Sequence, residues 1–434
     1  MQKKPFIWLV ILLSLALPLV VACSPHGASS TTPSVSSSPG EVLYVLDGYN
    51  AGGSAASADQ RIVAFHPEAG STVLASLPAG LTSQDHQHLY VATPQGDQTK
   101  ITIYTTQTAA TLGSFVIPGT YSTGMYGYGT GALSPDGRWL ALRQVTEDLS
   151  ETTIALVDTQ TQKVVKTEHL TGDFDLDALS PHAQTLYLLQ NTNDAQHHYY
   201  VRAYDLQTDQ LDEPIIVDKT EINETDMQGS AFTRQMAPDG SMSYTLYVNQ
   251  EENKAFIHIL PLDDQPNTYL ARCIDLPVGG SSALLKDYTL ALSPDGNTLY
   301  AVNTALGVVT SVTVKADYIF DIQPGTVHQF RSTSISIQGA EMPYNGAVVS
   351  SDQQILYMAG MDGIWAFSTR DSHILGHYLG GQTFTSVALS ADGHTLYAVS
   401  PGHGIVLIDV TSGQAEQTIR GLAQSPWGIA WVNH

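Results

Sequence analysis

The chain has 434 residues, 43% of them hydrophobic and only 14% charged, which is ample length for a sizeable core. Eighteen basic against 41 acidic residues give a formal net charge of −23, a field that repels nucleic acid and anionic lipid headgroups and tolerates cations and basic partners. The two cysteines, Cys23 and Cys273, form neither a CxxC pair for zinc or redox work nor a CxxCH for covalent haem.

In chain order, Met1 to Lys4 form a short basic segment, and Phe6 to Val21 an apolar run interrupted by Ser14 and Pro18. That run is short for a membrane-spanning helix and has the length of a secretory signal. It ends Val20-Val21-Ala22-Cys23, which resembles the bacterial lipobox. The resemblance implies that residues 1–22 are removed and that Cys23 becomes a lipid-modified N-terminus, placing the protein on the extracytoplasmic face of the cell membrane. Each buried CH₂ of such a lipid contributes roughly 0.8 kcal/mol, so several acyl chains hold firmly. From Ser24 to Gly40 the chain is almost all Ser, Thr, Pro, Gly and Ala. That composition cannot bury a core, so 23–40 is expected to be a flexible stalk. With Cys23 carrying lipid, no intrachain disulfide is expected, and Cys273 reads as a small buried hydrophobe.

From Glu41 onward one unit recurs. An apolar pair leads into Ser-Pro-Asp-Gly or a variant, then into Leu-Tyr-Ala-Val or a variant. It stands at Ala132 to Leu142, Ala178 to Leu189, Met236 to Gly240, Leu292 to Gly296, Val349 to Asp352 and Leu389 to Val399, with a degenerate copy at Leu81 to Ala92. Pro presets φ, Asp bonds locally to the backbone and Gly accepts φ > 0, so this is a turn between two strands. A third strand follows, such as Ile154 to Asp158 or Val406 to Val410, and then a fourth, such as Lys163 to Lys166 or Glu416 to Ile419. Helical periodicity is absent. Four short strands per repeat of about 40 to 60 residues predict propeller blades.

The unit resembles the YVTN-type β-propeller repeat, with its SPDG turn, LYV strand and V-x-D-x-x-T-G strand end, over Glu41 to His434. It is also similar to WD40-like propellers, but no Trp-Asp dipeptide closes any strand. The expected fold is all-β, one propeller over 41–434. Eight second strands, beginning at Leu43, Leu89, Leu140, Leu186, Leu246, Leu299, Leu356 and Leu396, predict eight blades, with seven the count if a weak early copy is irregular. The first copy lacks an opening strand, and Trp427 to Val432 reads as an orphan one. The two ends are therefore expected to share a blade and close the ring, which removes exposed sheet edges.

On the loops, Tyr121 to Gly131 is rich in Tyr, Gly and Ser, the composition of an adaptable binding surface, with Tyr121, Tyr126 and Tyr128 as candidate ligand contacts. The competing reading packs those rings on blade edges. Asp173, Asp175 and Asp177 alternate ahead of a blade, so an extended chain places their carboxylates on one side. Hard oxygens suit Ca²⁺, although the Gly and distal Glu of an EF-hand loop are missing; a solvated acidic patch competes. His86 and His88 are spaced to share a face but fall at a hairpin turn, and the adjacent His197 and His198 would point to opposite faces of an extended chain, so for each pair a polar loop is a plainer expectation than a metal site. No GxSxG elbow is present, and no catalytic residue is assigned. The function expected is a surface module that binds a protein, peptide or glycan, or acts as a scaffold, as a monomer. The alternative is a propeller enzyme, lactonase-like or quinoprotein-like, or an accessory subunit of an envelope complex. Fold analogy alone keeps that alternative open.

Overall fold

In the computed structural model the described residues are 40–48, 60–68, 72–123, 130–192, 194, 198–220, 226–264, 269–316, 318–331 and 343–433. They form eight four-stranded antiparallel sheets. Blade 1 combines Val42–Asp47, Arg61–Phe65 and Val73–Pro78 with the far strand Pro426–Asn433. Blades 2 to 8 follow at 81–118, 131–171, 173–216, 230–275, 288–329, 347–378 and 386–419. The eight-bladed ring and its closure by strands from both ends of the chain match expectation.

The order of strands explains the sequence pattern. Each second strand lies between two sheet partners and is covered on both faces by neighbouring blades, so Val42–Asp47 and Thr395–Ser400 are buried at every position. A strand covered on both faces needs no polar alternation, hence Leu-Tyr-Ala-Val. The outermost strand keeps one face in water, and Lys163–Thr171 accordingly alternates between exposed and half-buried along most of its length. The core is therefore distributed between blades rather than within them. One apolar cluster joins Leu246, Ile257 and Ile259 of blade 5 to Leu290, Leu299 and Val312 of blade 6, and another joins Tyr357 and Ala366 of blade 7 to Leu396 and Val406 of blade 8.

Turn chemistry fixes each hairpin. In blade 3, Ser134 Oγ donates to Asp136 Oδ1 (2.6 Å) and accepts from Trp139 N (2.9 Å), while Asp136 Oδ1 accepts from Arg138 N (3.0 Å). Gly137 then takes φ 70°. Blades 6 and 8 repeat the arrangement through Ser293/Asp295 and Ser390/Asp392. Blade 1 has no such turn, because its first and second strands come from opposite ends of the chain. There the buried Glu41 carboxylate accepts from Ala391 N (2.9 Å) and Tyr397 Oη (2.7 Å), tying the break to blade 8. Among the described residues, no helix is long and apolar enough to cross a membrane.

Candidate functional site: the central channel

The inner strands surround a hollow of about 410 Å³. Six of the eight blades line it: Thr82, Gln84 and His86 from blade 2, Pro135 from blade 3, Asp177 from blade 4, Arg234 and Gln235 from blade 5, Asn345 just ahead of blade 7, and Trp431 from blade 1. The Ser-Pro-Asp-Gly turns and their variants thus reach into the channel. They also meet across it. Gln84 Nε2 of blade 2 donates to Ala237 O of blade 5 (2.5 Å), and Gly240 of blade 5 lies so close to Pro135 of blade 3 that an added Cβ would collide.

Two features give the wall chemical character. The first is a stack of rings: Trp431 lies 4.5 Å from Tyr44 at 16° and 5.7 Å from His86 at 14°. His86 occupies the glycine slot of its turn at φ 53°, and its side chain is exposed at the mouth. Among the described residues, Trp431 Nε1 and Tyr44 Oη are buried with no hydrogen-bond partner, a costly state behind the channel surface. The second is an ion pair. Arg234 bonds Asp177 through both its carboxylate and its carbonyl and also donates to Thr245 Oγ1 (2.9 Å).

The three aspartates are distributed by this geometry. Asp173 and Asp175 do share a face. Arg143 of blade 3 pairs with both, at 3.2 and 2.6 Å, and Asn191 Nδ2 donates to both at 3.2 Å. Burial pushes the Asp175 carboxyl above its ordinary value, partly offset by Arg143 and Asn191. A β-bulge between Leu176 and Ala178 takes Asp177 out of the ladder, and it meets Arg234 in blade 5 instead. The like charges are therefore neutralised by arginines from the two flanking blades. Among the described residues no group of three or more His, Cys, Asp or Glu has an arrangement that could hold a metal ion.

Tyr121 is 4% exposed and packs in the apolar cluster between blades 2 and 3, its N–H donating to Thr99 Oγ1 (2.7 Å). Tyr126, Tyr128, His197 and Cys23 lie outside the described residues. His88 tilts toward Tyr90 at 6.3 Å while His86 faces Trp431, so the two imidazoles diverge. His198 Nδ1 is bonded to Asp194 Oδ2 (2.7 Å). Cys273 is half-buried opposite His258, whose imidazole burial pushes down to about 4.

No protein-family model matches the chain. No curated protein matches it either. Among solved structures, Kuenenia stuttgartiensis hydrazine synthase aligns over 78% of this chain and 94% of its own, at 15% identity and TM-score 0.40. The β-propeller domain of Myceliophteria thermophila Cps50 (Swd1) aligns over 78% and 94%, at 12% and 0.41. A putative 6-phosphogluconolactonase from Bacteroides fragilis aligns over 80% and 99%, at 14% and 0.42. Similarities of this size carry no functional argument, and the propeller assignment rests on the strand pairing itself.

Proposed function

We propose that this chain is a lipid-anchored, extracytoplasmic binding module whose propeller holds a small polar ligand, or a projecting part of a protein, peptide or glycan partner, in its central channel. The observation that carries the reading is the channel wall: the stacked rings of Trp431 and His86, beside amides and a paired arginine, around about 410 Å³. Concave sites that mix apolar wall with a few polar groups are where small ligands bind. The lipobox resemblance at Cys23 supports the anchor, and the composition of 24–40 supports the stalk.

Two measurements test the two halves. Metabolic acyl labelling is expected to mark the wild-type chain and not Cys23→Ser; labelling of both, or of neither, overturns the anchor. A thermal-shift panel of monosaccharides, amino acids and short peptides is expected to contain a member that raises Tm, an effect weakened by Gln235→Ala. A panel with no shift, or shifts indifferent to Gln235→Ala, overturns the channel reading.

A further inference from the structure

The third and fourth strands of most blades are joined by a tight turn, as at 159–162 in blade 3 and 410–414 in blade 8. Blade 6 instead uses 314–325, between Val308–Thr313 and Thr326–Gln329. This connection is not loosely held. Val314 and Ile322 are buried, Ala316 and Ile319 pack on the apolar cluster between blades 5 and 6, and Ile322 O accepts from Arg272 Nε (3.2 Å). A short 3₁₀ turn, Ile319–Asp321, fixes its tip through Asp321 N to Tyr318 O (2.9 Å).

The anchored tip nevertheless leaves two rings in water: Tyr318 is 72% exposed and Phe320 44%. The same connection also walls a hollow of about 630 Å³ with Ser311, Thr313, Lys315, Asp321, Gln323 and Thr326. Hydroxyls, an amide, one carboxylate and one ammonium offer both donors and acceptors. Exposed rings held on a rigid loop lose little conformational freedom when covered.

We infer that the rim of blade 6 is a saccharide-binding site for neutral pyranose units. A pyranose has an apolar C–H face that lies on an aromatic ring and an equatorial rim of hydroxyls that needs mixed donors and acceptors. One connection carries both requirements, the rings at Tyr318 and Phe320 and the polar hollow at Lys315, Asp321 and Gln323. The net charge of −23 disfavours polyanionic glycans. A lipid interface, which also takes up Tyr and Phe, fits less well, because Asp321 follows Phe320 directly and would have to approach the headgroups. This site is separate from the channel and does not depend on that reading.

The test uses the full chain in detergent on an array of neutral hexose and N-acetylhexosamine oligosaccharides, with titration calorimetry on those retained. Tyr318→Ala and Phe320→Ala are each expected to weaken binding about tenfold. Gln235→Ala in the channel is expected to leave it unchanged. Tyr318 is largely solvated, so an unaltered Tm confirms that folding is intact. Retention of no saccharide overturns the inference, as does retention indifferent to Tyr318→Ala. Loss with Gln235→Ala alone overturns it in favour of the channel. Binding to phosphatidylcholine vesicles that needs Tyr318, without any saccharide retention, overturns it in favour of a membrane contact.

Discussion

The turns of blade 8 and blade 4 do the same job with different parts. In blade 8 everything is local: Ser390 Oγ donates to Asp392 Oδ1 (2.7 Å), Asp392 accepts from His394 N (3.0 Å), and Gly393 sits at φ 70°. Blade 4 has His182 where the aspartate belongs and Ala183, at φ 53°, where the glycine belongs. Ser180 Oγ still accepts from Thr185 N (3.0 Å), but the carboxylate arrives from elsewhere. Asp264, on the connection between the third and fourth strands of blade 5, accepts from His182 N (3.1 Å) and bonds His182 Nδ1 (2.5 Å). The same connection accepts Thr185 Oγ1 and Tyr187 Oη at the carbonyls of Asp264 and Asp263. The turn needs a carboxylate at a point in space, not at a position in sequence. Where the repeat decays, the neighbouring blade supplies the missing group, and the two blades become coupled.

Substitutions can break or sharpen that contrast. The largest effect is expected at Gly240, where a positive φ and contact with Pro135 combine; Gly240→Ala should cost about 3 kcal/mol in urea unfolding. A cost below that of Gly393→Ala would mean the turns do not meet across the channel. Asp264→Ala should cost about 1.5 kcal/mol by leaving donors of blade 4 without an acceptor. Burial pushes the Asp264 carboxyl up, but Ser180 and His182 outweigh it and hold it below its ordinary value. Its contribution is therefore complete above the unfolded carboxyl range near pH 4 and is lost as pH falls further. In Asp264→Asn the acid limb of the stability profile should flatten; an unchanged limb argues against the trans-supplied carboxylate. Gly393→Ala meets open space and should cost only the left-handed backbone penalty, about 1 kcal/mol. Smallest, Ala183→Gly should raise stability by about 0.5 kcal/mol, and a loss would show that Ala183 contributes packing.

The contrast also explains what could be read in advance. The eight second strands were legible because burial on both faces forces an uninterrupted apolar run, and that constraint is local. Closure was legible because Trp427 to Val432 had no following partner in sequence. The alternation of Asp173 and Asp175 correctly placed them on one face. The bulge at Asp177 leaves no mark in composition, and the arginines that meet the three aspartates come from two other blades. The channel was illegible for a similar reason, being a convergence of six blades, each contributing a few residues. One clue was present: His86 occupies a slot that favours glycine, and that misfit side chain stacks on Trp431 at the channel mouth. The loop 314–325 carries no repeat signature, and its anchoring by Ile319 and Ile322 appears only in three dimensions.

The shared blade has a consequence for the order of assembly. Asp47 Oδ1 accepts from Ser425 N (2.5 Å) across a separation of 378 positions, and the strand that follows Ser425 completes the sheet begun by Val42–Asp47. Loop-closure entropy makes contacts so remote in sequence the ones expected to form late. Until then Val42–Asp47 presents an open edge, and the seven remaining sheets form an arc rather than a ring. Pro426–Asn433 therefore acts as a clasp, and its removal is expected to expose a strand edge able to pair with another chain. The eight blades stack one against the next, but a single strand pairing makes them a ring.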